Sequence, residues 1–452
     1  MRESELLTRA DCQKVFGAVF EYTQAMGVDD LEVSLEATAT ALTRFANNTI
    51  HQNVAERRRH LSVRIVLDGR TARAGTNRLD ENSIECVVEE AITATRSQDP
   101  DPELPPLAEH VEVDEADRFS PHTARNSPSE RARTVAEAIR ILEAAGQTAA
   151  GFYAANRSVE AILNSHGLFH YSCETLAQFS ITALAGDSSG WAKASAPDCR
   201  RIAPLELAQR ASIKAASSKN PRELAPGRYT VILEPSAVQD LLGQMFWDFS
   251  ATALRDQRSF LTGRMGERLF GTNISIADDV YHPLQSGPPF DGEGVPRRRL
   301  ALVEKGVPRE VARSRQAARR EGVAPTGHGF PLPNEYGEAP MNIVMEGGNT
   351  SLEEMIRSTE RGILVTRLWY IREVDPYQKI MTGMTRDGTF LIEGGRPVCG
   401  LKNFRFNQSL IELLSNVEAL SPAQRAAGEE SFDMVVPALK VRDFNFTEVT
   451  RF

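Results

Sequence analysis

The stretch that decides the fold is Tyr229–Glu267, YTVILEPSAVQDLLGQMFWDFSATALRDQRSFLTGRMGE. Thr230–Leu233 contains only β-branched and apolar residues, which favours a buried strand. Pro235 and Ser236 then stop that strand with residue types that open helices. The stretch therefore predicts a strand that turns directly into a helix.

Apolar residues recur behind this turn at three- and four-residue spacing, which predicts one helix with a buried face: Val238, Leu241, Leu242, Met245 and Phe249. Gln244, Asp248 and Thr252 fall off that face, so we expect them to point away from the core. The helix is followed by a glycine-flanked charged run, Gly263–Arg268. We expect the apolar face of the helix to pack in the core and to take no part in catalysis.

This strand, turn, helix and charged run together resemble the TldD/PmbA family, once called modulators of DNA gyrase and now regarded as a two-subunit zinc protease. In the family's catalytic subunit, the helix carries an HExxxH zinc motif just before a Gly-x-x-Gly-Glu segment. Laid over this chain without gaps, the two histidines fall on Gly243 and Asp248, and the glutamate falls on Gln244. Glycine has no side chain to bind zinc, and an amide cannot act as a general base.

The resemblance covers almost the whole chain and rests on the order of several short segments: Asp278-Asp279, Asp291–Pro296, Ala324–Gly329 and Met341–Met345. They are similar to the family's paired aspartate, Gly-Val-Pro segment, Pro-Thr-Gly-x-Gly loop and substrate-lining strand. The resemblance therefore implies that Thr326, Gly327 and Asn342, Ile343 and Val344 contact a peptide.

The family's third zinc ligand is a cysteine shortly before a Pro-x-Leu-Lys-Val strand. Pro437–Val441 preserves that strand, but no cysteine lies between Gly400 and it, and Cys399 is well upstream. A catalytic zinc needs three protein ligands and a base that activates water. Because every one of these positions is altered, we expect no metal in this chain and zinc in a partner subunit.

Length and composition constrain the number of domains and the class of protein. A chain of 452 residues is too long for one ordinary core, so we expect two or three domains. A hydrophobic content of 41% and a charged content of 25% are ordinary for a globular protein. The net charge of −9 argues against wholesale nucleic-acid binding, which usually needs a basic excess.

Turn signals and a linker divide the chain. A linker rich in proline and acidic residues after Ser97 places a boundary near residue 100, and we predict domains at 1–100, 101–222 and 223–452. Asp68-Gly69 is a strong hairpin signal, and Arg386–Thr389 and Glu393–Arg396 are also predicted to be hairpin turns. The pattern indicates an α+β chain with N-terminal mixed α/β units and antiparallel hairpins, followed by a larger, strand-rich, barrel-like C-terminal domain.

The first residues mix charges with few apolar side chains, unlike a signal peptide, and no later stretch holds eighteen apolar residues. We therefore expect a cytoplasmic protein with no membrane span. The 5 cysteines are widely spaced without a CxxC pair, which favours free buried thiols over a disulfide framework or a metal cluster.

Each of the other candidates allows a functional and a purely structural interpretation. His166 and His170 are four residues apart, but a glycine turn follows the first and no third ligand is near, so a structural or solvent-facing pair is favoured. For His328 a backbone-approach role of its glycine-rich loop is favoured over catalysis. The acids Asp278, Asp279, Asp291 and Glu293 match no EF-hand spacing, so a solvated loop is favoured over a calcium site.

A predicted helix within 309–320 carries five arginines: Arg309, Arg313, Arg315, Arg319 and Arg320. A solvated helix face is favoured over a nucleic-acid contact, because no aromatic residues interleave the arginines to stack on bases. We expect no nucleic-acid partner.

The altered motif is similar to the family's non-catalytic subunit, the TldE or PmbA type, which pairs with the catalytic one. The resemblance implies a catalytically inactive chain that completes a chamber with a TldD-like subunit and helps to hold an unfolded peptide as an added strand. The alternatives left open are a stand-alone peptidase with a different site, a peptide-binding homodimer, and a DNA-associated regulator.

Overall fold

The computed structural model describes residues 6–450. The elements of its N-terminal part are α1 (Arg9–Ala25), β1 (Leu31–Ala46), β2 (Thr49–Leu67), β3 (Arg70–Thr76), α2 (Glu81–Arg96), α3 (Pro121–Ala124), α4 (Pro128–Ala144), β4 (Thr148–Asn164), β5 (Phe169–Ala185), β6 (Ser188–Ala196) and α5 (Pro204–Ser217). A 3₁₀ turn, Cys199–Arg201, lies between β6 and α5.

The six strands form one antiparallel sheet in the order β3-β2-β1-β4-β5-β6. The predicted hairpin at Asp68-Gly69 is confirmed, with φ angles of 50° and 72° that suit a two-residue turn of this type. α1 and α2 pack over one half of the sheet and α4 and α5 over the other, each pair with its own apolar core.

The predicted units 1–100 and 101–222 therefore meet within a single sheet. β1 from the first unit pairs with β4 from the second along most of their length, from Glu32↔Asn164 to Phe45↔Gly151. The linker after α2 crosses from one unit to the other outside that pairing. The division at residue 100 stays a prediction about the chain, while the hydrogen-bonded sheet is continuous across it.

The elements of the C-terminal part are β7 (Gly227–Leu233), α6 (Pro235–Leu242), α7 (Ala251–Arg255), β8 (Ile276–Asp278), β9 (Leu300–Glu304), β10 (Val307–Pro308), α8 (Arg315–Glu321), β11 (Ile343–Met345), α9 (Leu352–Arg357), β12 (Arg361–Asp375), β13 (Ile380–Glu393), β14 (Arg396–Gly400), β15 (Phe404–Ser409), α10 (Leu410–Ser415), β16 (Val417–Leu420), β17 (Gln424–Ala426), β18 (Met434–Val436) and β19 (Leu439–Val449). A 3₁₀ turn, Phe246–Asp248, lies between α6 and α7.

β7, β19, β15, β13 and β12 pair in a ring, because β12 hydrogen-bonds to both β7 and β13. A closed ring of strands has no unpaired edge. A second sheet has the order β10-β9-β8-β11-β18-β17, and the largest apolar core contains residues from both sheets and from α6. The predicted α+β class with a barrel-like C-terminal domain is confirmed.

The single long helix predicted after β7 is wrong, because α6 ends at Leu242 and a 3₁₀ turn follows. Val238, Leu241, Leu242, Met245 and Phe249 are all buried as expected. The prediction that Asp248 points away from the core is also wrong, since only 5% of its surface is exposed. Glycine at 243 weakens a helix by about 1 kcal/mol relative to alanine, which favours a break there.

The predicted hairpin at Arg386–Thr389 is wrong, because β13 continues through it, whereas the turn at Glu393–Arg396 is confirmed. Asp387 and Gly388 have positive φ angles, of 51° and 129°, and the register against β12 shifts between Val365 and Arg367. An extra residue in one strand is a β-bulge. The bulge directs Asp387 toward Arg367, 2.5 Å away, and toward the Ser189 hydroxyl.

The arginine-rich helix is shorter than predicted, since α8 spans Arg315–Glu321. Its side chains reach neighbouring protein groups: Arg320 pairs with Glu103, and Arg319 donates to the Leu104 carbonyl oxygen. Arg313, before the helix, pairs with Glu321 at 2.7 Å. Across residues 6–450, no helix combines the length and the apolar character needed to cross a membrane.

Candidate functional site

The three positions that the resemblance aligns with a zinc motif, Gly243, Gln244 and Asp248, lie where α6 meets the 427–433 loop, which connects β17 to β18. Gln239 on α6 donates its Nε2 to the carbonyl oxygens of Ser431 and Phe432, at 2.9 and 2.7 Å. Asp240 accepts from the backbone N–H groups of Glu429 and Glu430. Two adjacent polar residues of the helix therefore hold the loop through its backbone.

Gly243 has a side-chain position that is already occupied. A Cβ atom there would overlap the Oγ of Ser431, and the backbone angles, φ −56° and ψ −21°, are ordinary helical ones. Space rather than backbone conformation therefore requires glycine at 243. A histidine has no room unless the 427–433 loop moves.

Gln244 and Asp248 make structural contacts instead of facing an open site. Gln244 Nε2 lies 3.3 Å from the Glu430 carbonyl oxygen and 3.4 Å from that of Asp240. Asp248 Oδ2 is 2.5 Å from Nζ of Lys379, and Asp248 Oδ1 accepts from the backbone N–H of Phe260. Burial raises the pKa of Asp248, against the opposite effect of Lys379.

The residues at this site do not fit a zinc ion. A catalytic zinc is held by side chains of His, Cys, Asp or Glu with one open position, whereas 243 has no side chain, 244 carries an amide, and the carboxylate of 248 is held by an ammonium group. In residues 6–450 no three His, Cys, Asp or Glu side chains are grouped so that they could hold a metal ion. Cys399 lies on β14, opposite Leu391.

Asp240 is the titratable group of this site whose pKa departs furthest. It is fully buried, its Oδ2 lacks a hydrogen-bond partner within residues 6–450, and burial raises its pKa to about 7. Its Oδ1 is committed to the loop backbone, and a Cβ on Gly428 would overlap that atom. The carboxyl group supports the loop and has no open space beside that oxygen.

The N-terminal sheet holds the same loop from its other side. Lys193 on β6 donates to the Gly428 carbonyl oxygen at 2.6 Å and lies 3.3 Å from Glu429. Asp433 accepts from Ser195 on β6 and from Arg425, at 2.5 and 2.9 Å. Contacts from two sheets therefore fix the loop that fills the motif.

A second polar region is built from three of the four acids predicted to lie in a solvated loop, and for these three that prediction is wrong, whereas Asp279 is partly exposed. Asp278, Asp291 and Glu293 are buried, with at most 3% of their surface exposed. Asp291 accepts from the backbone N–H groups of Glu293, Val295 and Gly329, so it organises the loop around itself. Glu293 accepts from the Arg315 N–H, and burial followed by the charge of Asp291 raises its pKa to about 8.

His328 lies in the same region and is wholly buried. Its Nε2 is 3.0 Å from Asp278 Oδ1, and its Nδ1 is 3.0 Å from Thr326 Oγ1. Burial opposes the ionisation of Asp278, but His328 and backbone donors hold the pKa of that carboxyl below its ordinary value.

The line from Asp278 through His328 to Thr326 resembles a hydrolytic triad in residue types only. Thr326 Oγ1 is inaccessible to solvent and already bonds both the N–H and the carbonyl oxygen of Arg313. A nucleophile must reach the substrate and be free to transfer its proton. The arrangement therefore orders the loop and offers no nucleophile.

The five residues predicted to contact a peptide are brought to neighbouring loops and strands, but most are not accessible. Thr326 and Ile343 are fully buried, Asn342 is nearly so, and Val344 is partly buried. Gly327 has φ +75° and packs against the backbone at Pro296. Peptide contact at these residues stays a prediction.

An added peptide strand would need an unpaired edge next to these residues. β11, which contains Ile343 and Val344, pairs with β8 on one side and with β18 on the other. Asn342 is held by its backbone N–H to Asp278 and by its Nδ2 to the Ser286 carbonyl oxygen. A peptide strand would therefore have to pair at another edge.

Sequence patterns missed the groups that fill the motif. Ser431 and Lys379 lie far from 243 and 248 in the chain, and neither carries a local signal that marks it as their partner. Glu338, fully buried, accepts from Ser250, from the Thr252 N–H and from the Ser314 N–H, and thereby joins the starts of α7 and α8. Its position in a glycine- and proline-rich segment does not predict that Glu338 is buried or that it joins these two helices.

The other candidates behave as structural groups. His166 is half-exposed and pairs with Asp30 at 2.8 Å, whereas His170 is buried and stacks on Phe290. The cysteines are free as predicted, although Cys86 is exposed and Cys12 is the buried one.

Three family models match the chain. They are the PmbA/TldA metallopeptidase domain 1 over residues 31–95, the central domain over 83–219 and the C-terminal domain over 226–448.

Curated relatives match parts of the chain. A metalloprotease of Methanothermobacter thermautotrophicus is 23% identical over 290 residues, which are 59% of this chain and 61% of that protein. A metalloprotease TldD homolog of Buchnera aphidicola is 28% identical over 222 residues, 48% of this chain and 43% of that protein. The chain thus spans about three fifths or less of the length of these relatives.

Two solved structures share the fold along almost the whole chain. TldE from Thermococcus kodakarensis superposes with a TM-score of 0.86 at 21% identity, covering 96% of this chain and 100% of that one. A protein described as a modulator of a DNA gyrase from Thermotoga maritima gives a TM-score of 0.85 at 22% identity, with 96% and 100% coverage.

Proposed function

Because the chain belongs to the PmbA/TldD metallopeptidase family, we propose that it is the non-catalytic, TldE-like subunit of a two-subunit peptidase. In this proposal a TldD-like subunit carries the zinc ion and cleaves peptides. This chain supplies structure, the partner interface and part of the peptide-binding surface.

The observation that carries the proposal is the filled motif. The position of the first zinc ligand, Gly243, faces Ser431, and the position of the second, Asp248, is paired with Lys379. A metal-activated water needs both an open coordination position and a base, and this site offers neither. Hydrolysis by zinc chemistry would therefore have to come from another subunit.

The partner is inferred from the fold. TldE from Thermococcus kodakarensis has the same architecture along nearly all of this chain. Low sequence identity limits that likeness to the fold, so pairing with a TldD-like protein is part of the proposal. Unfolded peptide as the substrate of the pair is proposed on the same basis.

An accessible aromatic surface beside the filled motif supports peptide handling. Trp247, between the motif positions 244 and 248, is 52% exposed and stacks on Phe330, with ring centroids 5.7 Å apart. Tyr336 lies 6.3 Å from Trp247 and is 72% exposed. Exposed aromatic side chains offer large apolar contacts to an extended peptide at low entropic cost.

The test is to purify the chain alone and co-expressed with the HExxxH-bearing relative from the same genome. We expect the lone chain to contain no zinc and to leave peptides intact, and the pair to contain about one zinc per heterodimer and to cleave them. Elemental analysis, light scattering and a peptide cleavage assay give the three readouts.

Two outcomes would contradict the proposal. Stoichiometric zinc or peptide cleavage in the lone chain would indicate a stand-alone peptidase. A stable homodimer that does not bind the relative would indicate a self-paired peptide-binding protein. Stoichiometric zinc together with peptide cleavage in the lone chain would direct mutagenesis first to Asp248, His328 and Cys399.

A further inference from the structure

A pocket of about 170 Å³ lies between the N-terminal sheet and the C-terminal part, away from the filled motif. One wall is formed by β1 and β4, and the other by loops around Phe290, Arg297 and His328. The volume holds several water molecules, but it is smaller than the roughly 300–1,000 Å³ of pockets that bind drug-sized ligands. Any organic ligand must therefore be small.

The sheet wall presents two carboxylates that face each other. Glu36 on β1 and Glu160 on β4 are directly opposite in the strand register, so their side chains share one face. Glu36 is exposed and Glu160 is partly buried, and within residues 6–450 neither carboxylate lies within 4.0 Å of a lysine, arginine or histidine nitrogen. Like charges at such a pair are destabilising. Desolvation, followed by the charges of Glu174 and Glu36, raises the pKa of Glu160 to about 7.

The opposite wall presents the guanidinium group of Arg297, whose charge favours the ionised forms of Glu160, Asp278 and Asp291. Arg297 donates its Nε to the Phe290 carbonyl oxygen, but its Nη1 is buried and has no hydrogen-bond partner in the described chain. It likewise makes no ion pair within 4.0 Å there. A buried donor without a hydrogen-bond partner is costly, so the Nη1 of Arg297 is an open donor on the wall opposite the two carboxylates.

A bound metal ion does not explain this arrangement. No three His, Cys, Asp or Glu side chains in residues 6–450 are grouped as metal ligands, and a cation would leave Arg297 unpaired. An anion such as phosphate would leave Glu36 and Glu160 unpaired. A molecule that carries both charges satisfies both walls.

We propose that this pocket binds a small free amino acid, whose ammonium group lies between Glu36 and Glu160 and whose carboxylate meets the guanidinium of Arg297. Arginine binds carboxylates well because its planar fork can donate two parallel hydrogen bonds. The volume admits glycine or alanine and excludes large side chains such as that of tryptophan. The proposal does not depend on a catalytic partner.

The test is isothermal titration calorimetry of the full chain at pH 7 with glycine, L-alanine and L-tryptophan. We expect glycine and alanine to bind with a Kd of about 1 mM or lower and tryptophan to give no heat. Methylamine and acetate carry one charge each, so each should bind at least about tenfold more weakly than glycine. Absence of heat from glycine and alanine up to about 20 mM, or equal binding of methylamine, would overturn the proposal.

Charge variants locate the binding. Glu160→Gln and Arg297→Gln should each weaken glycine binding by about tenfold or more, while Glu109→Gln and Arg299→Gln, outside the pocket, should leave it unchanged. Since Glu160→Gln removes a like-charge repulsion, we expect it to fold at least as well as the natural chain, which circular dichroism checks. Unchanged binding in a folded Glu160→Gln variant would place the ligand elsewhere and refute the assignment.

Discussion

Charged side chains are paired at the filled motif around Gly243 and Asp248, whereas in the part of the chain that the structure describes they lack ion pairs at the pocket between β1, β4 and Arg297. At the motif, Asp248 is paired with Lys379 and Asp240 is bonded to the loop backbone. At the pocket, Glu36, Glu160 and Arg297 face an open volume without an ion pair inside the described chain. The family motif marks the first region, yet the second keeps the unsatisfied groups that a ligand needs.

This difference teaches that a strand-turn-helix frame can serve packing alone. The strand and helix contribute to the core, because β7 is a barrel strand and α6 packs its apolar face inward. Ser431 fills the space beside Gly243 and Lys379 pairs with Asp248, so the region is a packing unit. The predictions below test that contrast, from the largest expected effect to the smallest.

Removing Lys379 should produce the largest loss of stability. The variant Lys379→Met leaves Asp248 buried without its counter-ion, and breaking a buried pair in this way costs about 3–5 kcal/mol of unfolding free energy. Urea denaturation at pH 7 measures it. The exposed pair of Lys402 and Glu223 provides the matched control, and Lys402→Met should leave the unfolding curve unchanged.

The double variant Asp248→Asn/Lys379→Met separates the pair from the space it occupies. Because it removes both charges and keeps the acceptor for the Phe260 N–H, we expect it to recover most of the stability. A double variant as unstable as Lys379→Met would show that packing of the lysine stem, not charge, holds this site.

Introducing a histidine at position 243 should destabilise the chain without creating a metal site. In Gly243→His the new side chain collides with Ser431, and overpacking of a core costs about 1–3 kcal/mol. The triple variant Gly243→His, Gln244→Glu and Asp248→His should remain free of zinc by elemental analysis. Gly17→Ala is the matched control: it lies in α1 with open space around it and should stabilise the helix slightly.

Sequence patterns foretold the fold well where they depended on local chemistry. The turn at Asp68-Gly69, the strand before Pro235 and the buried apolar positions after it follow from backbone and side-chain preferences of adjacent residues. The break of the helix at Gly243 depends on Ser431, which is 188 positions away, and the course of β13 through Asp387 depends on Arg367 and Ser189. Contacts between residues so far apart in the chain produce no periodic pattern in the sequence.

The same reason explains the acids that were expected in solvent. Asp291 and Glu293 do lie in a loop, whereas Asp278 ends β8, and the burial of Asp291 depends on backbone donors from other segments, such as the Gly329 N–H. Loop acids are usually exposed, and only the three-dimensional arrangement shows the exception. The pocket was missed for a related reason, since its charges come from three separate stretches of the chain.

The pH dependence of stability should distinguish the buried-acid region from the ion-paired motif. The pKa of Glu293 is raised from 4.5 to about 8, so its protonated form is favoured in the folded state. Its contribution to stability is complete below its ordinary pKa and is lost as the pH rises toward 8. Relative to the natural chain, Glu293→Gln should therefore lose the downward slope between pH 4.5 and 8, by at least about 1 kcal/mol.

Urea denaturation at half-unit pH steps measures this slope. The control is Glu109→Gln, at an exposed position outside the buried region, which should keep the natural slope. An unchanged slope in Glu293→Gln would assign the dependence to other carboxyl groups with raised pKa values, namely Asp240 at the motif and Glu160 at the pocket, which are both raised to about 7. In that case the motif or the pocket would contain a carboxyl group whose ionisation lowers the stability of the folded chain.

The smallest effect is expected at the exposed aromatic surface, because its residues contribute contact area and no charge. Trp247→Ala removes the ring that stacks on Phe330 but leaves the buried core residues Phe246 and Phe249 in place. The free energy of unfolding should change by less than about 0.5 kcal/mol, as for most surface substitutions. The KM of the co-expressed pair for peptides should rise about threefold, because the proposal places this ring in contact with the substrate. Ile213→Ala, at an exposed apolar position on α5, is the matched control. A KM that is unchanged by Trp247→Ala, and also by Tyr336→Ala, would contradict a role of this aromatic surface in peptide binding and leave the motif region with packing as its role.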